Sequence, residues 1–286
     1  MRYELLVTGL KGALFLEALP KALWPEKIYY YKVAGEVDEA HQRLISAVEK
    51  HSELVNPLQF QQPLGCNLVF ALGWQYLLRD FSNLVVLHDS LLPRYRGFAP
   101  TVTALIRGEK KIGVTAILPN EEMDAGPIVA QHSVEISPFT TAYRAFELIA
   151  NSYVSCVRDV LEAGDDFRVN ASNQNSEEAT YSIWRDDEDF QVSWDRSAEE
   201  ITRTINAVGY PYKGAKTCID HRCLVLVRAE VRPNVSFEYR QVGKVWRIID
   251  SNCADVICGS GLVRVWARWQ DSVDSAVFTK IRTRMS

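Results

Sequence analysis

The sequence predicts an α/β protein of two domains: a mainly parallel sheet covered by helices, then a small antiparallel β-barrel. The length of 286 residues, 47% of them hydrophobic, is enough for a substantial core. Up to about Gly164, short apolar runs alternate with segments of helical character, which is typical of βαβ units. Later apolar runs follow one another across short turns, which indicates antiparallel strands.

The first domain is predicted over residues 1–175. Its strands are expected at the apolar runs "ELLVTGL", "KIYYYKV", "CNLVFAL", "NLVVLHD" and "GVTAILP". Helices are expected from Ala13 to Leu19 and from Glu36 to His51.

A linker and one helix are predicted over residues 176–210, and the barrel over residues 211–286. The polar stretch "SNQNSEEAT" at 172–180 suits a linker. Ser197 and Glu200 are spaced as a capping box, which predicts a helix from Ser197 to Val208. The barrel strands are expected at "CLVLVRAEV", "QVGKVWRIID", "ADVICG" and "LVRVWARW".

The balance of 32 basic and 36 acidic residues gives a net charge of −4. This charge disfavours broad binding to nucleic acid or to anionic lipid. No apolar run approaches the roughly 18 residues of a membrane span, and the first residues lack a signal-peptide pattern. We therefore expect a cytoplasmic protein that does not contact membranes.

The six cysteines include two C-x4-C pairs, Cys218 with Cys223 and Cys253 with Cys258. This spacing is wider than that of the common C-x2-C zinc knuckle, and both pairs fall in strand-like segments. We expect buried free thiols in a reducing compartment and no metal site.

His88 lies in "VLHDSLLPRYRG", directly after a run typical of a buried strand. Open α/β sheets bind ligands at the carboxyl ends of their strands, which makes His88 a candidate functional residue. The alternative is a core histidine whose ring bonds backbone carbonyls. Position alone does not separate the two interpretations.

Three segments carry a resemblance to a known family. "HDSLLPRYRGFAP" is similar to the motif H-x-SLLP-x-(Y/W)-RG-x-x-P of enzymes that transfer a formyl group from 10-formyltetrahydrofolate. "IGVTAILPNEEMDAGPIVAQ" resembles a second block of that family, and "EITRTINAVGYPYKGAKT" with "GKVWRIIDSNCADVICGSGLVRV" resembles its carboxyl-terminal barrel. The resemblance implies a Rossmann-like formyltransferase domain followed by an OB-like barrel, with 10-formyltetrahydrofolate as co-substrate.

The resemblance also implies catalytic roles for His88 and Asp124. His88 would bond the formyl oxygen and help to move a proton, while Asp124 would tune the imidazole and hold a water. The alternative for Asp124 is a turn carboxylate that caps its own loop.

One position departs from the family pattern. Val86 stands where the family has an asparagine whose amide helps to hold the formyl carbonyl, and valine donates no hydrogen bond. Asp89 or Asn120 could compensate. The departure leaves open a catalytically weakened homologue that binds folate without turnover.

The resemblance implies a folate pocket built largely from main chain. The implied folate-binding residues are Gly73, Trp74, Tyr76, Leu78, Asn120, Met123 and Gly126. Trp74 and Tyr76 fit ordinary core packing equally well.

A nucleotide-linked 4-amino sugar is the preferred acceptor. The segment "YYYKVAGEVDEAHQ" is short and partly acidic where tRNA-directed relatives carry a longer basic insertion, so tRNA is the disfavoured alternative. Helix amides beside Lys11 could meet a phosphate. The candidate acceptor-binding residues are Lys11, Gly12, Arg94, Tyr95, Trp184, Tyr212 and Lys213. The aromatic members could instead pack the domains together, and Arg94 could pin its loop to a carboxylate. A homodimer stays open.

Overall fold

The computed structural model describes residues 2–33, 36–51, 53–55, 68–75, 78, 83–272 and 275–286. The chain forms two compact units. The first comprises Met1–Thr101, Lys111–Ile136 and Arg144–Trp184, and the second comprises Val102–Lys110, Ser137–Tyr143 and Arg185–Ser286.

A seven-stranded sheet forms the centre of the first unit. The strands of this unit are β1 (Glu4–Thr8), β2 (Lys27–Tyr31), β3 (Glu53–Val55), β4 (Val69–Leu72), β5 (Leu84–His88), β6 (Arg96–Gly97), β7 (Lys111–Ile117), β8 (Ile128–Glu135) and β9 (Tyr181–Ser182). The sheet has the order β3-β2-β1-β4-β5-β7-β8, and β6 pairs separately with β9. The first five strands of the order are parallel, whereas β7 and β8 are antiparallel additions.

The predicted mainly parallel sheet is confirmed. β1 and β4 are buried along their whole length, as expected for parallel strands covered on both faces. β8 was not predicted as a strand, because its sequence "IVAQHSVE" mixes half-buried and exposed residues at the edge of the sheet.

Among the described residues up to 142, four α-helices begin. They are α1 (Gly9–Ala18), α2 (Asp38–Glu49), α3 (Pro100–Arg107) and α4 (Ala142–Ala163). The predicted helix at Ala13 begins earlier, at Gly9, whose φ of 65° lets the chain turn directly from β1 into α1.

The second unit contains α5 (Ala198–Ala207) and an antiparallel sheet. Its strands are β10 (Ala215–Ile219), β11 (Arg222–Arg232), β12 (Val245–Asp250), β13 (Cys253–Ile257) and β14 (Leu262–Trp269), in the order β10-β11-β14-β13-β12. The predicted capping box is confirmed, since the Ser197 side chain accepts from the Glu200 amide and the Glu200 carboxylate accepts from the Ser197 amide.

The last residues of the chain connect the two edges of this sheet. Met285 N donates to Gly243 O over 2.7 Å, next to β12, and Ser286 N donates to Cys218 O over 3.0 Å, in β10. This segment thus bonds to one end of β10 and to the residues just before β12, which is typical of a barrel.

The polar stretch at 172–180 is hydrogen-bonded into the first unit. Ser172 and Ile128 exchange backbone hydrogen bonds of 2.8 and 2.7 Å, and Arg96 N donates to Thr180 O over 2.8 Å. From Arg185 onward the chain belongs to the second unit throughout.

The expectation of buried thiols needs correction at one pair. Cys156, Cys253 and Cys258 are buried, but Cys223 is exposed and Cys218 is half-buried, because both lie on the β10–β11 hairpin at a sheet edge. Cys66 lies outside the described residues. Within the described ranges, no group of three or more His, Cys, Asp or Glu side chains could hold a metal ion. No described helix has the length and apolar character needed to cross a bilayer.

Candidate active site

His88 and Asp124 meet at the carboxyl edge of the parallel strands. His88 is the last residue of β5, and its Nδ1 lies 3.5 Å from Asp124 Oδ2. The other ring nitrogen, Nε2, lies 2.9 Å from the carbonyl oxygen of Tyr95 and is therefore its donor. The side chain of His88 is 7% exposed and that of Asp124 is 18% exposed, so the carboxylate is the more accessible of the pair.

Asp124 is held by strand β6. Gly97 N donates to Asp124 Oδ2 over 2.8 Å. This bond joins the carboxylate to an element outside its own turn. A Cβ on Gly126 would lie 1.7 Å from Leu118 O, so the loop that carries Asp124 closes only with glycine there.

A buried arginine and a glutamine support the same loop. The Nε and a terminal nitrogen of Arg96 donate to Gln174 Oε1 over 3.0 and 2.8 Å. Gln174 Nε2 in turn donates to the carbonyls of Asp124 and Gly126, each over 2.8 Å. Sequence reasoning missed Gln174, because it lies in the polar stretch interpreted as a linker.

The backbone around the site is strained at three residues. Tyr95, Asp124 and Ala99 have φ values of 63°, 52° and 44°, in a region that residues other than glycine rarely adopt. The Tyr95 conformation directs its carbonyl to His88, and its amide donates to Thr180 Oγ1 over 2.9 Å. Strain of this kind concentrates at functional sites.

Lys11, a candidate for binding a phosphate, forms an ion pair with a carboxylate. Its Nζ lies 3.0 Å from both carboxylate oxygens of Asp89, and Thr101 Oγ1 donates to Asp89 Oδ2 over 2.6 Å. Burial tends to raise the pKa of Asp89, but Lys11, His88 and the Thr101 hydroxyl lower it below its ordinary value. Asp89 is thus an ionised acceptor, which cannot replace the missing amide donor.

The amino end of α1 is also occupied. Leu10 N donates to the Glu36 carboxylate, with distances of 3.1 and 3.3 Å to its two oxygens. Burial raises the pKa of Glu36, and the Leu10 amide and Lys11 counteract it. Gly12 serves close packing, since a Cβ there would lie 2.3 Å from Val7 Cγ2. The carboxylates of Glu36 and Asp89 thus contact the amino end of α1 and Lys11, and phosphate binding at Lys11 and Gly12 stays a prediction.

Val86 belongs to an apolar surface on the face of β5 that also bears His88, two residues further on. Val86 and Trp74 pack against a hydrophobic cluster formed by Leu6, Tyr29, Val69, Ala71, Leu78 and Leu84. Asn120 Oδ1 accepts from Glu122 N within its own turn, and compensation by the amide nitrogen of Asn120 stays a prediction.

The implied folate-binding residues have different environments. Gly73 has a φ of 66°, and its carbonyl accepts from Thr8 Oγ1 over 2.8 Å. Trp74 is half-buried, while Leu78 is a core residue with 7% exposure. Tyr76 lies outside the described residues.

An exposed apolar patch adjoins the Asp124 loop. Phe98 and Trp184 are 42% and 55% exposed, and their rings meet edge-on at 5.8 Å. Met123, which precedes Asp124, is 58% exposed. Its Sδ would lie 3.8 Å from a Cβ placed on Gly97. We call Phe98, Met123 and Trp184 the aromatic patch.

The remaining acceptor candidates fall into two groups. Arg94 lies over the ring of Tyr95, 5.0 Å from its centroid, and donates to the Tyr95 hydroxyl over 3.2 Å. Tyr212 and Lys213 belong to the second unit, so their acceptor contacts stay predictions.

Comparison with known proteins gives two family matches. Residues 71–152 match the family described as formyl transferase, and residues 185–272 match the formyl transferase C-terminal domain. Together these ranges cover more than half of the chain and include His88, Asp124 and β10 to β14.

One curated relative is named a formyltransferase, and two solved structures share the fold. A methionyl-tRNA formyltransferase of Sorangium cellulosum is 31% identical over 179 residues, which cover 63% of this chain and 57% of that protein. The chain thus spans little more than half the length of this curated relative. HypX from Aquifex aeolicus, solved with tetrahydrofolic acid, is 18% identical with a TM-score of 0.64, over 94% of this chain and 44% of HypX. An N-formyltransferase from Helicobacter canadensis, solved with folinic acid and dTDP-3-aminofucose, is 14% identical with a TM-score of 0.58, over 93% and 98% of the two chains.

Proposed function

Because this chain belongs to the formyltransferase family, we propose that it transfers a formyl group from 10-formyltetrahydrofolate to an amine. The pairing of His88 with Asp124 at the carboxyl edge of β5 carries this proposal. Formyl transfer forms a bond from the acceptor nitrogen to the formyl carbon and breaks the bond from that carbon to the folate nitrogen. The reaction also moves a proton from the attacking amine to the leaving nitrogen.

Asp124 and His88 have different proposed roles in moving this proton. Asp124, the more exposed of the two, receives the proton of the amine directly or through a water. His88 Nδ1 lies within reach of that proton, while the Tyr95 carbonyl holds the opposite ring nitrogen in place. Val86 and Asp89 offer no hydrogen-bond donor, and His88 Nε2 is committed to the Tyr95 carbonyl. Once Nδ1 has taken up the amine proton, its N–H is therefore the proposed donor to the developing oxyanion and then returns the proton to the leaving nitrogen.

We propose a nucleotide-linked 4-amino sugar as the acceptor. The aromatic patch supports this choice, because exposed Phe98 and Trp184 rings beside the Asp124 loop suit stacking on a nucleobase. The net charge of −4 agrees with a small acceptor better than with a polyanion.

Methionyl-tRNA is the second candidate acceptor. The Sorangium relative named for that activity is 31% identical over 63% of this chain, which favours this candidate. A tRNA acceptor requires binding that weakens steeply as salt concentration rises.

The test is a competition assay. Purified protein is incubated with 10-formyltetrahydrofolate, a panel of dTDP- and UDP-linked 4-amino sugars, and charged initiator tRNA, and the products are identified by mass spectrometry. We expect one sugar nucleotide to gain a formyl group. Formylation of the tRNA alone would replace the sugar by the second candidate, and folate binding without any product would indicate the weakened homologue.

A further inference from the structure

We propose that Cys218 and Cys223 form a reversible disulfide by exchange with a small-molecule disulfide such as oxidised glutathione. The two residues lie directly opposite each other on β10 and β11, and their Sγ atoms are 3.5 Å apart. A disulfide requires a sulfur–sulfur distance of about 2.05 Å, so the two sulfur atoms need only a short approach to form the bond. The site lies in the second unit and does not depend on the proposed formyl transfer.

The backbone geometry suits such a bond. Cys218 exchanges both of its backbone hydrogen bonds with Ser286, over 2.8 and 3.0 Å, and the Cys223 carbonyl accepts from Gln270 N. The cysteines are therefore a non-hydrogen-bonded pair of the antiparallel ladder, for which Cα atoms lie about 4.5 Å apart. Disulfides span Cα distances of about 4.4 to 6.8 Å, so rotation of the side chains is sufficient.

The turn keeps the pair in register. Asp220 and His221 connect the two strands with φ values of 48° and 64°. Two consecutive positive φ values are the signature of the type I′ turn, which joins hairpin strands in a fixed register. A one-residue slip would separate the two thiols to opposite faces.

Exposure distinguishes this pair from the other described cysteines. Cys156, Cys253 and Cys258 are buried, and burial raises their pKa values to about 12, 11 and 12. Cys223 is exposed and Cys218 is half-buried. Burial and the adjacent Cys223 thiol raise the pKa of Cys218. We therefore assign the first attack to Cys223 and the second to Cys218.

The exchange proceeds in two balanced steps. The Cys223 thiolate attacks one sulfur of oxidised glutathione, which breaks the glutathione disulfide and releases one glutathione thiolate to take up a proton. The Cys218 thiolate then attacks Cys223 Sγ in the mixed disulfide and releases the second glutathione. Two protein thiols are oxidised, and one small disulfide is reduced to two thiols.

The test uses the full chain incubated with oxidised glutathione at neutral pH. Remaining thiols are alkylated under native conditions, and linked peptides are identified by mass spectrometry before and after treatment with dithiothreitol. We expect a Cys218–Cys223 linked peptide that dithiothreitol removes. Absence of that peptide, or a stable glutathione adduct on wild-type Cys223, overturns the proposal.

Two serine variants sharpen the assignment. Cys218→Ser removes the second attacking thiol, so glutathione should stay bound to Cys223, whereas Cys253→Ser should still form the linked peptide. Thermal unfolding of each variant confirms that it is folded. If Cys218→Ser accumulates no more adduct than the wild type, the proposed order of attack is wrong.

Discussion

Val86 departs from the pattern of the family that the sequence resembles. It packs with Trp74 on an apolar cluster, on the strand face that bears His88 two residues later. An asparagine there would place an amide donor near the developing oxyanion, and loss of one such donor costs other enzymes about 10² to 10³ in rate.

We expect Val86→Asn to raise kcat about tenfold or more. The polar amide should also destabilise the apolar cluster, by about 1 kcal/mol. Steady-state kinetics with the acceptor found in the competition assay measures the first effect, and denaturant unfolding measures the second. Val86→Leu, which resembles asparagine in shape but donates no hydrogen bond, is the control. A slower Val86→Asn variant would show that the site depends on valine.

The Lys11–Asp89 ion pair is largely shielded from solvent, with side chains only 16% and 9% exposed. Asp89→Asn leaves the Lys11 charge buried without its counter-ion, so we expect a loss of about 3 kcal/mol in the free energy of unfolding. Asp38→Asn, which removes an exposed partner of Lys32, should cost little. Urea unfolding of both variants measures the difference.

The loss in free energy of unfolding caused by Asp89→Asn should become smaller as the pH falls. The folded-state pKa of Asp89 is lowered, so its carboxylate contributes stability above its ordinary pKa of 3.8, and that contribution is lost as the pH falls through the folded value. The free energies of unfolding of the wild type and Asp89→Asn should therefore differ by a constant amount from pH 8 to about pH 5, and the difference should shrink in stronger acid. A difference that grows in acid would contradict the stabilising role of the ion pair.

Among the elements, the loop between β7 and β8 determines the geometry of the site. It carries Asp124, is anchored by Gln174, and passes so close to Leu118 that Gly126 has no room for a Cβ. A carboxylate misplaced by about 1 Å can lower an enzyme's rate about 10²-fold.

We expect Gly126→Ala to lower kcat by about 10²-fold while the protein stays folded. Formyl transfer is measured beside circular dichroism and thermal unfolding. Glu121→Ala, a truncation at an exposed position of the same loop, is the matched control and should keep wild-type activity. Equal activity of Gly126→Ala and wild type would mean that the loop does not position Asp124.

At the scale of the whole molecule, local sequence patterns predicted the elements but not the contacts between them. The run "NLVVLHD" predicted a strand that ends at His88, and the Ser197–Glu200 spacing predicted the start of α5. Both features depend on residues that are neighbours in sequence. The Lys11–Asp89 pair joins residues 78 positions apart, so no local pattern indicated that Lys11 is neutralised.

Composition was misleading where polar residues have structural partners. Gln174 lies in a stretch typical of linkers, yet it bonds Arg96 and the Asp124 loop. β8 has the mixed polarity of an edge strand, which resembles a loop in sequence. The meeting of His88 with Asp124 was expected only from the family resemblance, because spacing does not show which loops converge.

The most direct measurement follows a labelled formyl group. Wild type, His88→Ala and His132→Ala are incubated with 10-formyltetrahydrofolate carrying a ¹³C formyl carbon and the amino-sugar panel, and label on the acceptor is followed over time by mass spectrometry. His132 also pairs with an aspartate, Asp159, but lies on β8 with its side chain 37% exposed, which makes it a matched control. We predict that label reaches a sugar nucleotide with wild type and with His132→Ala, and that His88→Ala is slower by at least about 10²-fold although it still binds folate. Transfer by His88→Ala at the wild-type rate would contradict the central claim that His88 and Asp124 form the catalytic pair.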